Sequence, residues 1–270
     1  MNLLNGLTIY NKFLCKKEET MIKKEKRIIL TAVLFAAVLG TGTTVSAMHI
    51  MEGYLPPGYC IAWGIISIPF LVAGFLKIKN LLAENRRNIT LIAMSGAFIF
   101  VISALKIPSL TGSCSHMTGT GLGAILFGPS AVSILGIIVL VFQAILLAHG
   151  GITTLGANTF SMAIAGPAIS YCIYKTCQKT KASKPVSIFL AASIGDLSTY
   201  CITSIQLALA HNTSDGIMAS FLKFLGVFAP TQLPLAILEG ILTVLIIMAL
   251  ETYGTQELME IGFIRKETSK

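Results

Sequence analysis

The chain has 270 residues, of which 54% are hydrophobic and only 12% are charged, and its mean hydropathy is +0.79. Charged residues make up about a quarter of an average soluble protein, so this composition excludes an ordinary soluble domain and indicates a membrane protein with several spanning helices. The formal net charge of +8 does not indicate nucleic-acid binding. Most of the basic residues beyond the N-terminal region lie in short loops, where they set membrane orientation.

The N-terminal region has the order of features that is typical of a secretory signal peptide. A basic stretch at residues 23–27 precedes an apolar run over residues 28–45. Val45 and Ala47 then stand at positions −3 and −1 of a small-residue cleavage site. The sequence therefore predicts a signal peptide over residues 1–47 that is cut after Ala47.

Seven segments after the signal peptide are predicted to cross the membrane. A spanning helix needs about 20 mostly apolar residues. Six runs come close to that length, namely residues 61–78, 89–107, 131–148, 160–174, 186–210 and 233–250. The seventh segment, about residues 119–127, is too short to cross lipid alone and is inferred from the orientation of the loops.

The basic loops indicate both the orientation and the number of crossings. A cleaved N-terminus faces outside, so the basic loop 77–88 lies inside, as the positive-inside rule requires, and the loop 108–118 returns to the outside. The basic loop 175–185 must be inside again, which requires an odd number of crossings between those two loops. Only two long runs lie there. Residues 119–127 therefore supply the third crossing within the helical bundle, where irregular backbone is tolerated.

We therefore expect an all-α polytopic membrane protein with seven transmembrane helices after signal-peptide removal, its N-terminus outside and its C-terminus cytoplasmic. The membrane domain spans residues 48–251, and a cytoplasmic tail follows over residues 252–270. The signal peptide over residues 1–47 has Met21 as an alternative start, because the recognisable signal begins there.

The first two residues of the predicted mature chain form a potential metal chelate. The α-amine of Met48, the backbone nitrogen of His49 and the Nδ1 of His49 can close adjoining five- and six-membered rings on one ion. His116, in a glycine-rich loop, completes a set of four nitrogens, and tetragonal nitrogen coordination suits late divalent metals. The alternative is that Met-His follows the cleavage site by chance and that His116 is an ordinary loop histidine.

Two further polar residues lie near these candidates. His149 precedes Gly150 and Gly151 at the end of an apolar run, where we expect it to cap or pack rather than to act as a gate. Support of the metal ligands is the other role considered for His149, and for Ser115 beside His116.

Asp196 and Glu239 interrupt two different apolar runs. A charge inside a spanning segment is costly and usually functional or paired. We expect both carboxyl groups to face the bundle as partners of hydroxyl groups. The alternatives are that they line a transport route or serve an intramembrane enzyme, but they lie on different spans and no catalytic partner motif accompanies them.

Several functional motifs are missing from the sequence. There is no Gly-x-x-x-x-Gly-Lys-Ser/Thr sequence, so the chain has no phosphate-binding loop of its own for ATP hydrolysis. There is no His-Glu-x-x-His sequence, so a zinc hydrolase has no support.

Ala93 and Ala97 form a small-xxx-small pair that lets two helices approach closely.

With these residues assembled, the chain resembles the CbiM family, the cobalt-specific membrane subunit of energy-coupling-factor importers. The resemblance covers residues 48 to about 250. It is carried by Met48-His-Ile-Met-Glu-Gly-Tyr-Leu-Pro56, Ser103-Ala-Leu-Lys-Ile-Pro108, Thr111-Gly-Ser-Cys-Ser-His116, Thr118-Gly-Thr-Gly-Leu-Gly-Ala-Ile-Leu-Phe-Gly-Pro129, Ala148-His-Gly-Gly-Ile-Thr-Thr-Leu-Gly-Ala-Asn158, Gln232-Leu-Pro-Leu-Ala236 and Glu239-Gly240.

The resemblance implies a seven-helix substrate-binding subunit that holds Co²⁺ through the Met48 amine, His49 and His116. It implies four kinds of partner: a transmembrane coupling subunit, a small accessory membrane subunit, cytoplasmic ATPase subunits and the surrounding lipid. It makes Ala93 and Ala97 candidates for contact with a coupling helix, and it links the imported cobalt to cobalamin biosynthesis. A related nickel family shares the N-terminal chelate, so Ni²⁺ is the alternative substrate; nitrogen ligands alone do not select between the two ions.

Overall fold

The computed structural model describes residues 49–108, 114–212 and 216–264. The predicted signal peptide, the Met48 amine and residues 265–270 of the predicted tail lie outside the described residues. The described chain is helical apart from loops and one short antiparallel strand pair. In that pair, Ile107 lies opposite Ser115 and Pro108 opposite Cys114.

The elements follow one another with short connections. In chain order they are α1 (Pro57–Glu84), α2 (Asn88–Ala104), β1 (Ile107–Pro108), β2 (Cys114–Ser115), α3 (Thr120–Phe127), α4 (Pro129–Leu146), α5 (Leu155–Asn158), a π-helical turn (Thr159–Ala165), α6 (Gly166–Lys179), α7 (Lys184–Ala210), α8 (Ile217–Tyr253) and α9 (Thr255–Glu260).

Proline and glycine mark several helix boundaries. Helices α1, α4, α6 and α7 each have a proline in the first turn, where its missing N–H costs nothing because those amides have no partner within the helix. Gly128 separates α3 from α4 with a φ of 89°, a backbone conformation that glycine adopts without steric cost. The chain therefore turns sharply between a short helix and a long one.

The helices occupy all seven predicted segments, but two boundaries differ. Helix α1 continues to Glu84, so most of the predicted basic loop 77–88 is helical. Helix α8 begins at Ile217 rather than near residue 233 and runs for 37 residues, about 55 Å at 1.5 Å per residue. The helix continues through Pro230 and Pro234, although proline usually interrupts a helix.

Four of the described helices, α1, α4, α7 and α8, are long and apolar enough to cross a membrane by themselves, and α2 is a shorter apolar helix. The chain from α5 through the π-helical turn to α6 runs without a break in helical backbone from Leu155 to Lys179. All eight residues of α3 are buried. They pack among α2, α4, α6 and α7, so this short helix is covered by protein.

Candidate metal-binding site

Three histidines from three different segments meet in the interior. His49 precedes α1, His116 follows β2, and His149 follows α4. Their side chains are 3%, 0% and 1% exposed, respectively. His49 Nδ1 lies 2.7 Å from His116 Nε2 and 3.1 Å from His149 Nε2. Each histidine thus offers a ring nitrogen to one point, with the three ligand atoms within 4.8 Å of one another.

Hydrogen bonds on the far sides of two rings determine which nitrogens carry a proton. His116 Nδ1 lies 2.9 Å from the Met117 carbonyl oxygen, which only accepts, so Nδ1 donates and Nε2 keeps its lone pair. His49 Nε2 lies 3.1 Å from the Met162 sulfur, a weak acceptor, which leaves the lone pair on His49 Nδ1. Two nitrogens that both keep a lone pair at this distance repel each other, and a cation bound by both would remove that repulsion.

The nitrogen spacings fit neighbouring ligands of one metal ion. Two ligands at right angles, each about 2.0–2.1 Å from the metal as imidazole nitrogens are on zinc, lie about 2.9 Å apart. The distances from His49 Nδ1 to His116 and His149, 2.7 and 3.1 Å, fall on either side of that value. The His49 and His116 rings are stacked with centroids 4.4 Å apart. The histidine cluster, defined as His49, His116 and His149, therefore has coordination-like geometry.

The surroundings keep all three rings neutral. Burial lowers the pKa of His49 well below its usual value, and the neighbouring His116, His149 and Lys106 lower it further. Burial also lowers the pKa of His116 to about 4 and that of His149 to about 2. Neutral imidazoles have lone pairs available for a metal ion near pH 7.

The segment that carries His49 is fixed by hydrogen bonds to its neighbour Ile50. Asn158 Oδ1 accepts from the Ile50 N–H at 2.8 Å, and Asn158 Nδ2 donates to the Ile50 carbonyl at 3.0 Å. The Thr154 hydroxyl donates to the same carbonyl at 2.6 Å. These bonds satisfy the backbone of a buried, non-helical residue and set the position of His49.

The loop after His149 packs against the same N-terminal segment. Gly150 has a φ of 80°, and a side-chain carbon at Gly151 would lie 2.6 Å from the Glu52 backbone nitrogen. Only glycine permits this approach. The Thr153 N–H donates to the Glu52 carboxylate at 3.1 Å, and hydrogen bonding from Thr153 lowers the pKa of Glu52. The loop thus closes over the residues that follow His49.

Helix α8 holds the loop that carries His116. The hydroxyl groups of Ser115 and Thr231 are hydrogen-bonded at 2.7 Å, and Gln232 Nε2 donates to the His116 carbonyl at 3.2 Å. Next along the loop, the Thr118 N–H donates to Glu239 at 2.6 Å. These contacts tie residues 115, 116 and 118 to one helix.

The two buried acidic residues belong to this support. Glu239 is 0% exposed and accepts from the Thr118 hydroxyl at 2.9 Å, as expected for a bundle-facing partner of a hydroxyl group. Asp196 is 1% exposed and accepts instead from Gln232 Nε2 at 2.5 Å. Within the described ranges neither carboxyl group has an ion pair.

The remaining residues fall into two groups, with His149 and Met162 beside His49 and with Ala93 and Ala97 on the surface of α2. The His149 N–H donates to the Gln143 carbonyl at 3.1 Å, so this residue does cap α4, and its ring also lies in the cluster, next to His49, where the alternative role of supporting the metal ligands would place it. Met162 was missed because a methionine in an apolar run looks like an ordinary core residue. Ala93 and Ala97 lie on the exposed face of α2, away from the histidines.

The cluster is closely packed. His49 and His116 adjoin a small gap that Ser161, Met162 and Thr199 also line, and that gap has no room for a water molecule. A tightly enclosed set of neutral nitrogens can bind a late divalent metal, and nothing in the cluster provides a nucleophile paired with a base.

Comparison with known proteins supports the same class of function. Residues 49–256 match a family described as CbiM, cobalt uptake substrate-specific transmembrane region. The cobalt transport protein CbiM of Lachnoclostridium phytofermentans is 69% identical over 245 residues, covering 90% of this chain and 98% of that protein. The protein of that name from Clostridioides difficile is 55% identical over 240 residues, covering 88% of this chain and 96% of its own.

Solved structures show the same fold. A crystal structure described as a truncated transition metal transporter is 28% identical, with a TM-score of 0.68, and the match covers 76% of this chain and 99% of the other. A second, described as a transition metal transporter, has the same identity and TM-score and covers 81% of this chain.

Proposed function

The chain belongs to the CbiM family of cobalt uptake transmembrane proteins, and from this membership we propose that it is the subunit that captures Co²⁺ for an energy-coupling-factor importer. As a member of that family it is a multi-pass membrane component of cobalt transport and not an enzyme. Three points are proposed: the place of this subunit in the transporter, the residues that bind the metal, and the cleavage after Ala47 that creates the Met48 amine ligand.

The facing lone pairs of His49 and His116 carry the proposal. Their nitrogens are 2.7 Å apart, and a metal ion bound by both would remove the repulsion between the lone pairs. In the proposed site His49 contributes its ring Nδ1 and its backbone nitrogen, His116 contributes Nε2, and the Met48 α-amine supplies the fourth nitrogen. The site therefore requires removal of residues 1–47, because in the uncut chain the Met48 nitrogen would be a second amide, which binds a metal only after losing its proton, and the amine ligand would be lost.

His149 has a separate part in the proposed site. Its Nε2 lies 3.1 Å from His49 Nδ1, close enough to contact the captured ion or to cover it after entry. Ser115 supports the site from behind through its bond with Thr231. Neither residue belongs to the four-nitrogen set, so each is expected to adjust affinity or exchange rather than to be essential for capture.

The proposed topology has seven crossings, with the N-terminus outside and the C-terminus in the cytoplasm. It places the histidine cluster at the outer end of the bundle. The fully buried α3 supports this arrangement, since a helix too short to span lipid crosses only inside protein. The signal peptide covers residues 1–47, the membrane domain residues 48–251 and the tail residues 252–270.

The proposed partners follow from what the chain lacks. With no phosphate-binding loop for ATP, energy comes from cytoplasmic ATPase subunits through a transmembrane coupling subunit, aided by a small accessory membrane subunit. Ala93 and Ala97 are exposed on α2 and offer a flat surface on which a coupling helix can pack closely. The captured cobalt would supply cobalamin biosynthesis.

Direct metal binding tests the proposal. Purified protein whose N-terminus has been confirmed as Met48 is titrated with Co²⁺ and separately with Ni²⁺ by calorimetry. We expect one Co²⁺ per chain, loss of binding in His49→Ala and His116→Ala, and unchanged binding in the matched control His211→Ala, since His211 bonds to the Tyr54 carbonyl outside the cluster. Equal binding by His116→Ala and wild type would overturn the site. Because nitrogen sites in general bind Ni²⁺ more tightly than Co²⁺, nickel would be assigned as the substrate only by uptake of Ni²⁺ in preference to Co²⁺ in cells that carry the complete transporter.

A further inference from the structure

A second site lies at the opposite end of the bundle from the histidine cluster. A cavity of about 500 Å³ is formed by the end of α1, the junction of α3 and α4, the end of α6 and the segment after α9. His116 precedes the start of α3 and His149 follows the end of α4, whereas the cavity adjoins the end of α3 and the start of α4. Its volume is in the range of about 300–1,000 Å³ that is typical of small-ligand sites.

The cavity is positively charged. Lys77 from α1 and Lys175 from α6 both line it, and its lining residues include no aspartate or glutamate. The ion pairs found among the described residues, Arg87 with Glu260 and Lys184 with Glu251, involve neither lysine. The Lys175 ammonium lies 5.4 Å from the centre of the Tyr171 ring, another lining residue. Two cations that have no carboxylate partner among residues 49–108, 114–212 and 216–264 therefore share one cavity, which favours an anion.

The start of α4 adds to the positive electrostatic potential of the cavity. Gly128, Pro129 and Ser130 line the cavity, and the N-terminus of this 18-residue helix has no side-chain cap. Pro129 has no N–H and the Gly128 N–H donates to the Ala124 carbonyl, so among these three residues Ser130 supplies the backbone donor. The first backbone N–H groups of a helix have no partner within the helix and carry a partial positive charge. A helix start of this kind binds phosphate groups through those N–H groups. A side-chain carbon at Gly128 would meet nothing within 4 Å, so the approach to the helix start is open.

The neighbouring surface indicates what carries the anion. Phe75 and Leu76, next to Lys77 on α1, are 61% and 52% exposed, and Leu81 and Phe127 line the cavity itself. A cationic cavity bordered by exposed apolar side chains at the end of membrane helices matches a phospholipid, whose phosphate and acyl chains need both surfaces. Basic pockets between transmembrane helices are known to bind anionic head groups.

We propose that this cavity binds the phosphate group of an anionic phospholipid, held by Lys77, Lys175 and the N-terminus of α4, with the acyl chains along the exposed face of α1. Inorganic phosphate offers the same charged group without the chains. The two sources are therefore separated in the experiment. The inference does not depend on cobalt binding.

The test uses delipidated full-length protein in a zwitterionic detergent. Thermal unfolding is measured with added phosphatidylglycerol, phosphatidylcholine or inorganic phosphate, and retained lipid is counted by native mass spectrometry. We expect phosphatidylglycerol to raise Tm by several degrees and to remain bound, and phosphatidylcholine to do neither. In the double variant Lys77→Gln with Lys175→Gln, that response should disappear, whereas Lys77→Arg with Lys175→Arg should keep it.

The matched control changes the same charge on the same two helices. Lys79→Gln with Lys179→Gln alters residues that do not line the cavity, and it should respond to phosphatidylglycerol as wild type does. Equal loss of response in both glutamine pairs, or equal stabilisation by phosphatidylcholine, would overturn the lipid site. An equal response to inorganic phosphate at the same concentration would keep the phosphate site but overturn the lipid as its source. If a double variant fails to fold, the single variants are compared in the same way.

Discussion

Asn158 forms hydrogen bonds with both backbone polar groups of Ile50, accepting from its N–H at 2.8 Å and donating to its carbonyl at 3.0 Å. One side chain at the end of α5 thus satisfies both backbone polar groups of a buried residue that lies outside any helix or strand. Because Ile50 directly follows His49, the amide of Asn158 positions a proposed metal ligand through the backbone and without contact with the metal.

Replacing Asn158 by leucine should therefore weaken cobalt binding. Removing hydrogen bonds from a buried backbone costs about 1–3 kcal/mol, which corresponds to an increase in Kd of about 5- to 150-fold if the cost falls on the bound state. Calorimetry of Asn158→Leu measures this. Asn88→Leu is the control, since that buried asparagine bonds to the Leu81 carbonyl far from the cluster. An unchanged Kd in Asn158→Leu would show that Asn158 does not position His49.

A second prediction concerns the loop that carries His116. Thr118→Val removes the hydroxyl that donates to Glu239 at 2.9 Å and should raise the Kd for Co²⁺ by about 5- to 30-fold, in line with about 1–2 kcal/mol for the loss of one buried hydrogen bond. Thr243→Val is the control, because that hydroxyl bonds to the backbone carbonyl of Glu239. If both variants bind cobalt equally well, Glu239 does not act on the metal loop through Thr118.

The third prediction is a pH dependence of stability in the metal-free protein. The folded pKa of His116 is about 4, below the unfolded value of about 6.5, so the unfolded chain binds more protons between these values. Stability should be complete above pH 6.5 and should fall as the pH is lowered toward 4. The Tm of His116→Gln should fall less steeply over that window, and identical slopes for wild type and variant would contradict the prediction.

Cobalt binding should have a different pH dependence from stability. Since the pKa values of the buried histidines are lowered, they do not compete for protons near neutrality, but an α-amine has a pKa of about 7.7–8.0. Affinity should therefore fall as pH drops below 8, through protonation of the Met48 amine. A glycine inserted between Ala47 and Met48, with correct cleavage confirmed by N-terminal sequencing, should abolish tight binding. Wild-type affinity in that variant would exclude the N-terminal chelate.

The fifth prediction tests orientation. Lys181 lies between α6 and α7, in a loop that the proposed topology places in the cytoplasm. A single cysteine placed there by Lys181→Cys, in a chain whose native cysteines have been replaced, should react with a membrane-impermeant thiol reagent only after the cells are opened. A cysteine at Ile152, in the loop after His149, should react in intact cells. Labelling of Lys181→Cys from outside would overturn the seven-span arrangement.

Much of this architecture could be predicted from the sequence because lipid imposes simple constraints on it. Apolar length and basic loops located helices in all seven segments, and the buried α3 was expected from its shortness. The predicted beginning of α8, near residue 233, was wrong, because the helix begins at Ile217 and continues through Pro230 and Pro234, residues that usually break helices. In an apolar environment a broken helix leaves backbone groups without partners, and that cost favours continuing the helix.

The site was less predictable because its members are distant in the sequence. His49 was identified from the potential N-terminal chelate and His116 from its glycine-rich loop, but the sequence does not show which other side chains contact these two rings. His149 and Met162 reach His49 only through the packing of α4 and the π-helical turn. The same is true of Gln232, whose two bonds to His116 and Asp196 depend on the register of α8.

The absence of space for water beside His49 and His116 has a consequence for timing. A bound ion usually leaves by exchanging its ligands for water molecules one at a time, and here no water can reach the coordination sphere until the surrounding side chains separate. For cobalt held at the proposed site, the residence time would then depend on how often the loops around His116 and His149 open as well as on the strength of the metal–nitrogen bonds. Two variants with the same Kd can therefore differ widely in delivery rate.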